Sequence, residues 1–164
     1  RPSGAGRHCH GRPTMSILIR RARHADAVFL VDSQVRMAKE TEDLDLDPPT
    51  VTAGVSAVLD DPRLGQYWIA ERKSTPMACT LVTGEWSDWR NGIVWWLQSV
   101  YVRPEHRRRG VFRAIYTHLR QLVESDDRLR GLRLYVEKGN ALAQEVYRSL
   151  GMHGDHYATF EWMK

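Results

Sequence analysis

Long apolar runs are missing from this 164-residue chain, so no segment approaches the length a helix needs to cross a bilayer, and no membrane partner is expected. Cysteine is nearly missing too. Cys9 sits in a polar stretch and Cys79 in an apolar one, which implies neither a disulfide framework nor a metal site, and makes a reducing, cytoplasmic setting the expectation. No apolar core of the secretory kind follows the basic start. Two phosphate-binding signatures are also lacking: there is no G-x-x-x-x-G-K-[ST], and no G-x-G-x-x-G follows a strand-like stretch. Nor is there a broad basic surplus. Of the 24 Lys and Arg residues behind the net charge of +4, Arg1, Arg7 and Arg12 fall in the first fourteen positions, which hold no acid, leaving 21 basic against 20 acidic residues. A duplex-binding face needs several phosphate contacts spread along a surface, so this distribution argues against a nucleic-acid partner. Residues 1–14, rich in Gly, Pro and Ser with almost no apolar content, read as a disordered tail, and 15–164 as one domain long enough to bury a core.

What the chain does have is concentrated between Ile93 and Arg113. Ile93 to Val102 is almost continuously apolar and rich in β-branched and aromatic residues, which predicts a strand buried on both faces. From Val111 the spacing turns helical, with Val111, Ile115, Leu119 and Leu122 on one stripe. Arg103, Arg107, Arg108, Arg109 and Arg113 crowd around Gly110 at the handover. A helix start carries partial positive charge and unpaired N–H groups, so cations there are unfavourable unless an anion is present. Gly110, lacking a Cβ, would let the backbone approach that anion closely. A phosphate-bearing ligand accounts for the pattern; a solvated arginine patch at a strand end is the alternative.

Around this centre, Ser16–Arg21 reads as a strand and His24 to about Lys39 as a helix with Val28, Val31 and Val35 facing inward. After the acidic E-T-E-D-L-D-L-D, Pro48 and Pro49 break the chain, and Thr50 caps a second helix carrying Val51, Val55, Val58 and Leu59. Gln66–Glu71 and Met77–Thr83 read as strands about a Ser74-Thr75-Pro76 turn, and Asn91-Gly92 turns the chain into the central strand, making three antiparallel strands in sequence. Leu132–Glu137 is the next strand, parallel to the central one. Asn140 then caps a helix bearing Leu142, Val146 and Leu150 that Gly151 ends, and Tyr157–Trp162 alternates and closes the sheet. The order β-α-α-β-β-β-α-β-α-β predicts a single α/β domain, a sandwich built on a mixed sheet.

At its arginine loop the sequence resembles the GNAT superfamily of acetyl-CoA-dependent N-acetyltransferases, whose pyrophosphate loop reads [RQ]-x-x-G-x-[GA]. Arg107 and Gly110 match, and Phe112 replaces the small residue. Asn140, Tyr147 and Leu150-Gly151 match a second stretch of the family, and the element order agrees over about residues 16–164. The resemblance implies acetyl-CoA as co-substrate, lying in a V where the central strand and its parallel neighbour diverge. Gln98-Ser99, the polar interruption of the central strand, is where a bulge would open that V. The implied cofactor-binding residues are Ser99, Val100, Tyr101, Val102, Arg107, Arg108, Arg109, Gly110, Val111, Phe112, Arg113, Asn140 and Tyr147. An N–H near Val100 would stabilise the oxyanion, and Tyr147 would protonate the departing thiolate. A base must deprotonate the amine; Glu137, Glu85 and Glu40 are the candidates.

The implied reaction is acetyl transfer to a primary amine, in a small molecule or peptide, by direct attack in a ternary complex. The resemblance also allows a homodimer. The acids Glu40, Glu42, Asp43, Asp45 and Asp47 either rim the acceptor side and favour a cationic amine or form a solvated connector, and Trp86, Trp89 and Trp96 are candidates to wall the acceptor pocket. The competing reading is a noncatalytic acyl-CoA sensor or nucleotide-binding module on the same fold, because a fold does not by itself confer turnover.

Overall fold

The structure, a computed structural model, describes residues 16–163; the tail expected at 1–14 lies outside them. Its elements are β1 (Leu18–Arg21), α1 (Ala27–Glu42), α2 (Pro48–Asp60), β2 (Gln66–Arg72), β3 (Thr75–Ser87), β4 (Gly92–Val102), α3 (Val111–Ser125), β5 (Leu129–Leu134) and α4 (Ala141–Ser149). The five strands lie in the order β1-β2-β3-β4-β5. The first four are antiparallel to their neighbours, and β5 returns through α3 to run parallel to β4.

β4 needs apolar residues on both faces because each face is covered. Leu97 joins Trp68, Ala78, Val82 and the α3 stripe Val111, Ile115 and Leu119 in one core. Tyr101 joins Phe29 and Leu30 of α1, Val55 of α2, Tyr67, Ile69 and Cys79 in the other. Burial in this second layer pushes the Cys79 thiol up to about 11 and keeps it a neutral packing group.

One irregularity in β4 positions everything that follows. Ser99 pairs with Leu81 and Leu97 with Val82, so Gln98 is an extra residue, a β-bulge. On the other edge the β4–β5 ladder runs from Ile93↔Leu129 to Leu97↔Leu134 and stops there. Beyond Leu97, β4 continues to Val102 bonded to β3 alone. The two parallel strands part at the bulge.

Several expectations shift. Val28 is 83% exposed, and α1 buries Phe29, Leu30, Ser33 and Ala38 instead. The phase is set by a single 3-10 turn, His24–Asp26, whose Asp26 carboxylate accepts from Arg20 at 2.8 and 2.9 Å and from the Arg23 N–H at 2.7 Å. Asp47, not Thr50, caps α2 by accepting from the Thr50 N–H at 3.0 Å, and Pro48 occupies the first helical turn, where its missing N–H costs nothing. The prolines begin the helix. β3 extends to Ser87, so much of the tryptophan-rich connection is strand. β5 lies at Leu129–Leu134, not Leu132–Glu137, because pairing with Ile93 at the base of β4 recruits residues that local pattern assigns to a loop.

The expected closing strand at Tyr157–Trp162 is not formed. Those residues carry no ladder, and Tyr157, Phe160 and Trp162 are at least 85% exposed. Alternation specifies which face of a strand is apolar, but a strand exists only where a neighbour's edge receives its N–H and C=O groups. No such pairing to the outer edge of β5 occurs among the described residues.

Candidate active site

The parted strands leave a notch floored by the Leu97↔Leu134 pair. Above it, the backbone edge of Ser99 to Val102 that faces away from β3 has no strand partner among the described residues, so its polar groups, apart from the Val102 carbonyl that accepts from Arg107 Nε, are available to a ligand running alongside. Side chains alternate around that edge. Val100 and Val102 pack on the α3-side core, while Ser99 and Tyr101 face α1. Ser99 Oγ accepts from Gln34 Nε2 at 3.3 Å, and Gln98 donates to Thr83 Oγ1 at 2.8 Å, which pins the bulge from both sides.

Gly110 stands at the start of α3 with φ +75°, and nothing lies within 4 Å of where a Cβ would be. No side chain among the described residues caps this helix, and its first backbone bond runs from the Ala114 N–H to the Gly110 carbonyl at 3.0 Å. The N–H groups of the first turn are therefore open to an anion. The arginines divide. Arg103 lies over the Phe29 ring at 4.9 Å, and Arg107 donates through Nε to the Val102 carbonyl at 2.8 Å and through Nη2 to Glu40. Arg108 and Arg109 are exposed with no side-chain bond among the described residues, and Arg113 reaches Ser149 on α4 at 3.4 Å. Arg108 and Arg109, not Arg107, are the cations at liberty beside Gly110.

Asn140 caps α4, its side-chain oxygen accepting from the Ala143 N–H at 3.1 Å. One to two turns on, Tyr147 sets its ring against Phe112 of α3 in an edge contact with centroids 5.4 Å apart. Phe112 thus occupies its unusual place in the loop motif as the surface that positions Tyr147. Burial raises the Tyr147 pKa above its ordinary value, and its hydroxyl has no hydrogen-bond partner among the described residues. A neutral phenol without a partner among the described residues, set against the first turn of α3, is suited to donate a proton.

The candidate bases differ. Glu85 has both oxygens engaged, one by the Arg133 guanidinium at 3.0 Å and the other by the Trp96 indole N–H. Glu40 is engaged by Tyr101 at 3.2 Å and by Arg107. Glu137, on the arm beyond the end of β5, is exposed and makes no side-chain hydrogen bond among the described residues. The acidic loop is also internally paired: Lys39 holds Asp43 at 2.8 Å and Asp45 at 3.1 Å, and Asp47 caps α2. Trp86 and Trp89 lie exposed at the β3–β4 hairpin end, where β4 begins, so the first half of that strand separates them from the bulge. Trp96 remains close to the notch. Arg133 and Tyr135 lie within the expected strand, but their meeting with Trp96 depends on the register of β4 against β5, which residue spacing does not carry. Among the described residues no three His, Cys, Asp or Glu side chains are placed to hold a metal, and no helix is long and apolar enough to cross a membrane.

Comparison with known proteins agrees with this geometry. The sequence model of the acetyltransferase (GNAT) family matches residues 17–152. A solved structure of a possible acetyltransferase from Clostridium difficile 630 is 40% identical, with a TM-score of 0.84, over 90% of this chain and 97% of that one. At 14% identity, where only the fold is shared, an aminoglycoside N-acetyltransferase in complex with CoA gives a TM-score of 0.70 over 91% of this chain and 95% of that one. A ribosomal-protein-alanine N-acetyltransferase from Brucella melitensis biovar Abortus 2308, also 14% identical, gives 0.72 over 90% and 100%. No curated protein matches the chain in sequence.

Proposed function

The chain belongs to the acetyltransferase (GNAT) family, and on that premise we propose that it moves an acetyl group from acetyl-CoA, the family's co-substrate, to a primary amine by direct attack in a ternary complex. The observation that carries this reading is the parting of β4 from β5 at Leu97↔Leu134, next to the Gln98 bulge and below the uncapped start of α3. The two features suit the two halves of one ligand. An extended amide-bearing arm suits the open edge of Ser99 to Val102, and a pyrophosphate suits the first-turn N–H groups of Val111, Phe112 and Arg113 with Arg108 and Arg109 beside them. Asn140 and Arg113 would border the same ligand from the α4 side.

Bound acetyl-CoA supplies a thioester carbonyl to the amine's lone pair. A backbone N–H near Val100 would donate to the carbonyl oxygen as charge develops on it. The C–N bond forms as the C–S bond breaks; Tyr147 gives its hydroxyl proton to the departing sulfur, and a carboxylate takes the amine's proton directly or through water. Glu137 is the carboxylate free to do so, whereas Glu85 would first have to release Arg133 or Trp96. The test is release of CoA thiol by the purified protein across a panel of primary amines, with the acetylated product identified by mass spectrometry. Tight acetyl-CoA binding without amine-dependent thiol release would replace this reading with a noncatalytic acyl-CoA sensor.

A further inference from the structure

Trp96 and Tyr135 stack across the vertex of the notch, with ring centroids 4.6 Å apart and planes inclined by 25°. Their placement follows from strand geometry. Trp95 packs and Leu97 is buried in the α3-side core, so Trp96 between them points to the opposite face, toward the α1–α2 layer. Arg133 is its partner on β5, and Tyr135, two residues on, is the first residue past the last β4–β5 pair. The stack is held rigidly from below: Glu85 accepts from the Trp96 indole N–H and from Arg133, whose guanidinium also lies 5.6 Å from the Trp96 ring centre. It is open above, since Tyr135 is 53% exposed.

We infer that this stack is the acceptor plate and that the acceptor is an amine carrying a planar aromatic group, which extends the stack over Tyr135 while its amino group reaches the bulge. This rests on the acetyltransferase reading and specifies its substrate class. The charge around the plate favours a ring over a polycation. Glu85 is balanced by Arg133, Asp43 and Asp45 share Lys39, and Glu40 is paired with Arg107, which leaves Glu137 and Glu42 as the site's carboxylates without an ion pair among the described residues, too few for a polycation. An aromatic face has affinity for another ring at a stacking distance of this kind, and rigid support limits the ordering needed on binding. Tyr135 is therefore a specificity-determining residue.

The test compares phenethylamine, cyclohexylethylamine and spermidine as acceptors, using the full chain and saturating acetyl-CoA. Phenethylamine is expected to show the highest kcat/KM. Tyr135→Ala should raise its KM roughly 3- to 10-fold, raise the KM for cyclohexylethylamine by less, and leave the Kd for acetyl-CoA unchanged, and Tyr135→Phe should restore the parental KM. Preference for spermidine or cyclohexylethylamine, or a Tyr135→Ala variant with unaltered phenethylamine KM, overturns the plate while acetylation itself persists. Absence of thiol release with every amine overturns the acetyltransferase reading instead, so the two failures are separable.

Discussion

Glu40, two residues from the end of α1, accepts the Tyr101 phenol hydrogen at 3.2 Å with one carboxylate oxygen and the Arg107 guanidinium with the other. One carboxylate thereby ties the first helix, the central strand and the loop before α3. Burial, followed by the Glu40 charge, raises the Tyr101 pKa and keeps the phenol a donor. The same contact engages Arg107, so a phosphate at this loop would compete with Glu40 for its guanidinium. The loop before α3 and the first helix are thus linked through one side chain.

Glu40→Gln tests that link. The substitution retains a group able to accept from Tyr101 but removes the charge that competes for Arg107. Acetyl-CoA binding measured by calorimetry should tighten by about 2- to 5-fold, and the gain should vanish in an Arg107→Ala background. Equal tightening in both backgrounds would show that Arg107 is not the group released.

Tyr147→Phe keeps the ring against Phe112 and removes only the hydroxyl. On the proposed role of that group as proton donor to the departing thiolate, kcat should fall by roughly 100-fold or more with acetyl-CoA affinity little changed. Single-turnover rates separate this from an effect on product release.

Gly110→Ala should cost about 1–2 kcal/mol in stability, because an L side chain at φ +75° is strained even though nothing crowds it. The added Cβ would also stand where an anion approaches the start of α3. Chemical denaturation and acetyl-CoA Kd should both worsen; intact affinity in a destabilised variant would move the anion away from this helix start.

The Arg20 cluster predicts an acid limit to stability. Arg20 pairs with Asp26 and Glu71, both buried, at 2.8 Å each, and the guanidinium holds the Asp26 carboxyl below its ordinary value, helped by the Arg23 N–H. A lowered folded-state pKa means this stabilisation is complete above the ordinary carboxylate range and disappears as pH falls through the folded value. Between about pH 6 and pH 2 the urea midpoint of the parent should therefore drop further than that of Asp26→Asn. Parallel curves would assign the acid sensitivity to other carboxyls.

Much of this was legible from residue spacing. The α3 stripe, the cap at Asn140, the helix end at Gly151 and the polar break at Gln98-Ser99 are local patterns, and each stands where the pattern put it. A helix's buried face and a bulge-prone break are written in neighbours three or four residues apart or less, so the chain alone determined them. The family and its acetyl-CoA chemistry follow from the same local motifs and the order of elements.

Pairing across the sheet was decided elsewhere. The extra three residues at the start of β5, the exposure of Val28, and the unpaired state of Tyr157–Trp162 depend on which edge meets which, an outcome shared between segments far apart in sequence. So do the contacts that give the site its character: Glu40 on Arg107 bridges 67 positions, Arg133 on Glu85 bridges 48, and Tyr135, just past β5, meets Trp96 of β4 across a helical crossover. Sequence determined that cations gather at a helix start and that acids gather in a loop. Only the tertiary structure decided which of those charges neutralise one another, because a Coulombic contact acts over a few ångströms of space and is indifferent to distance along the chain.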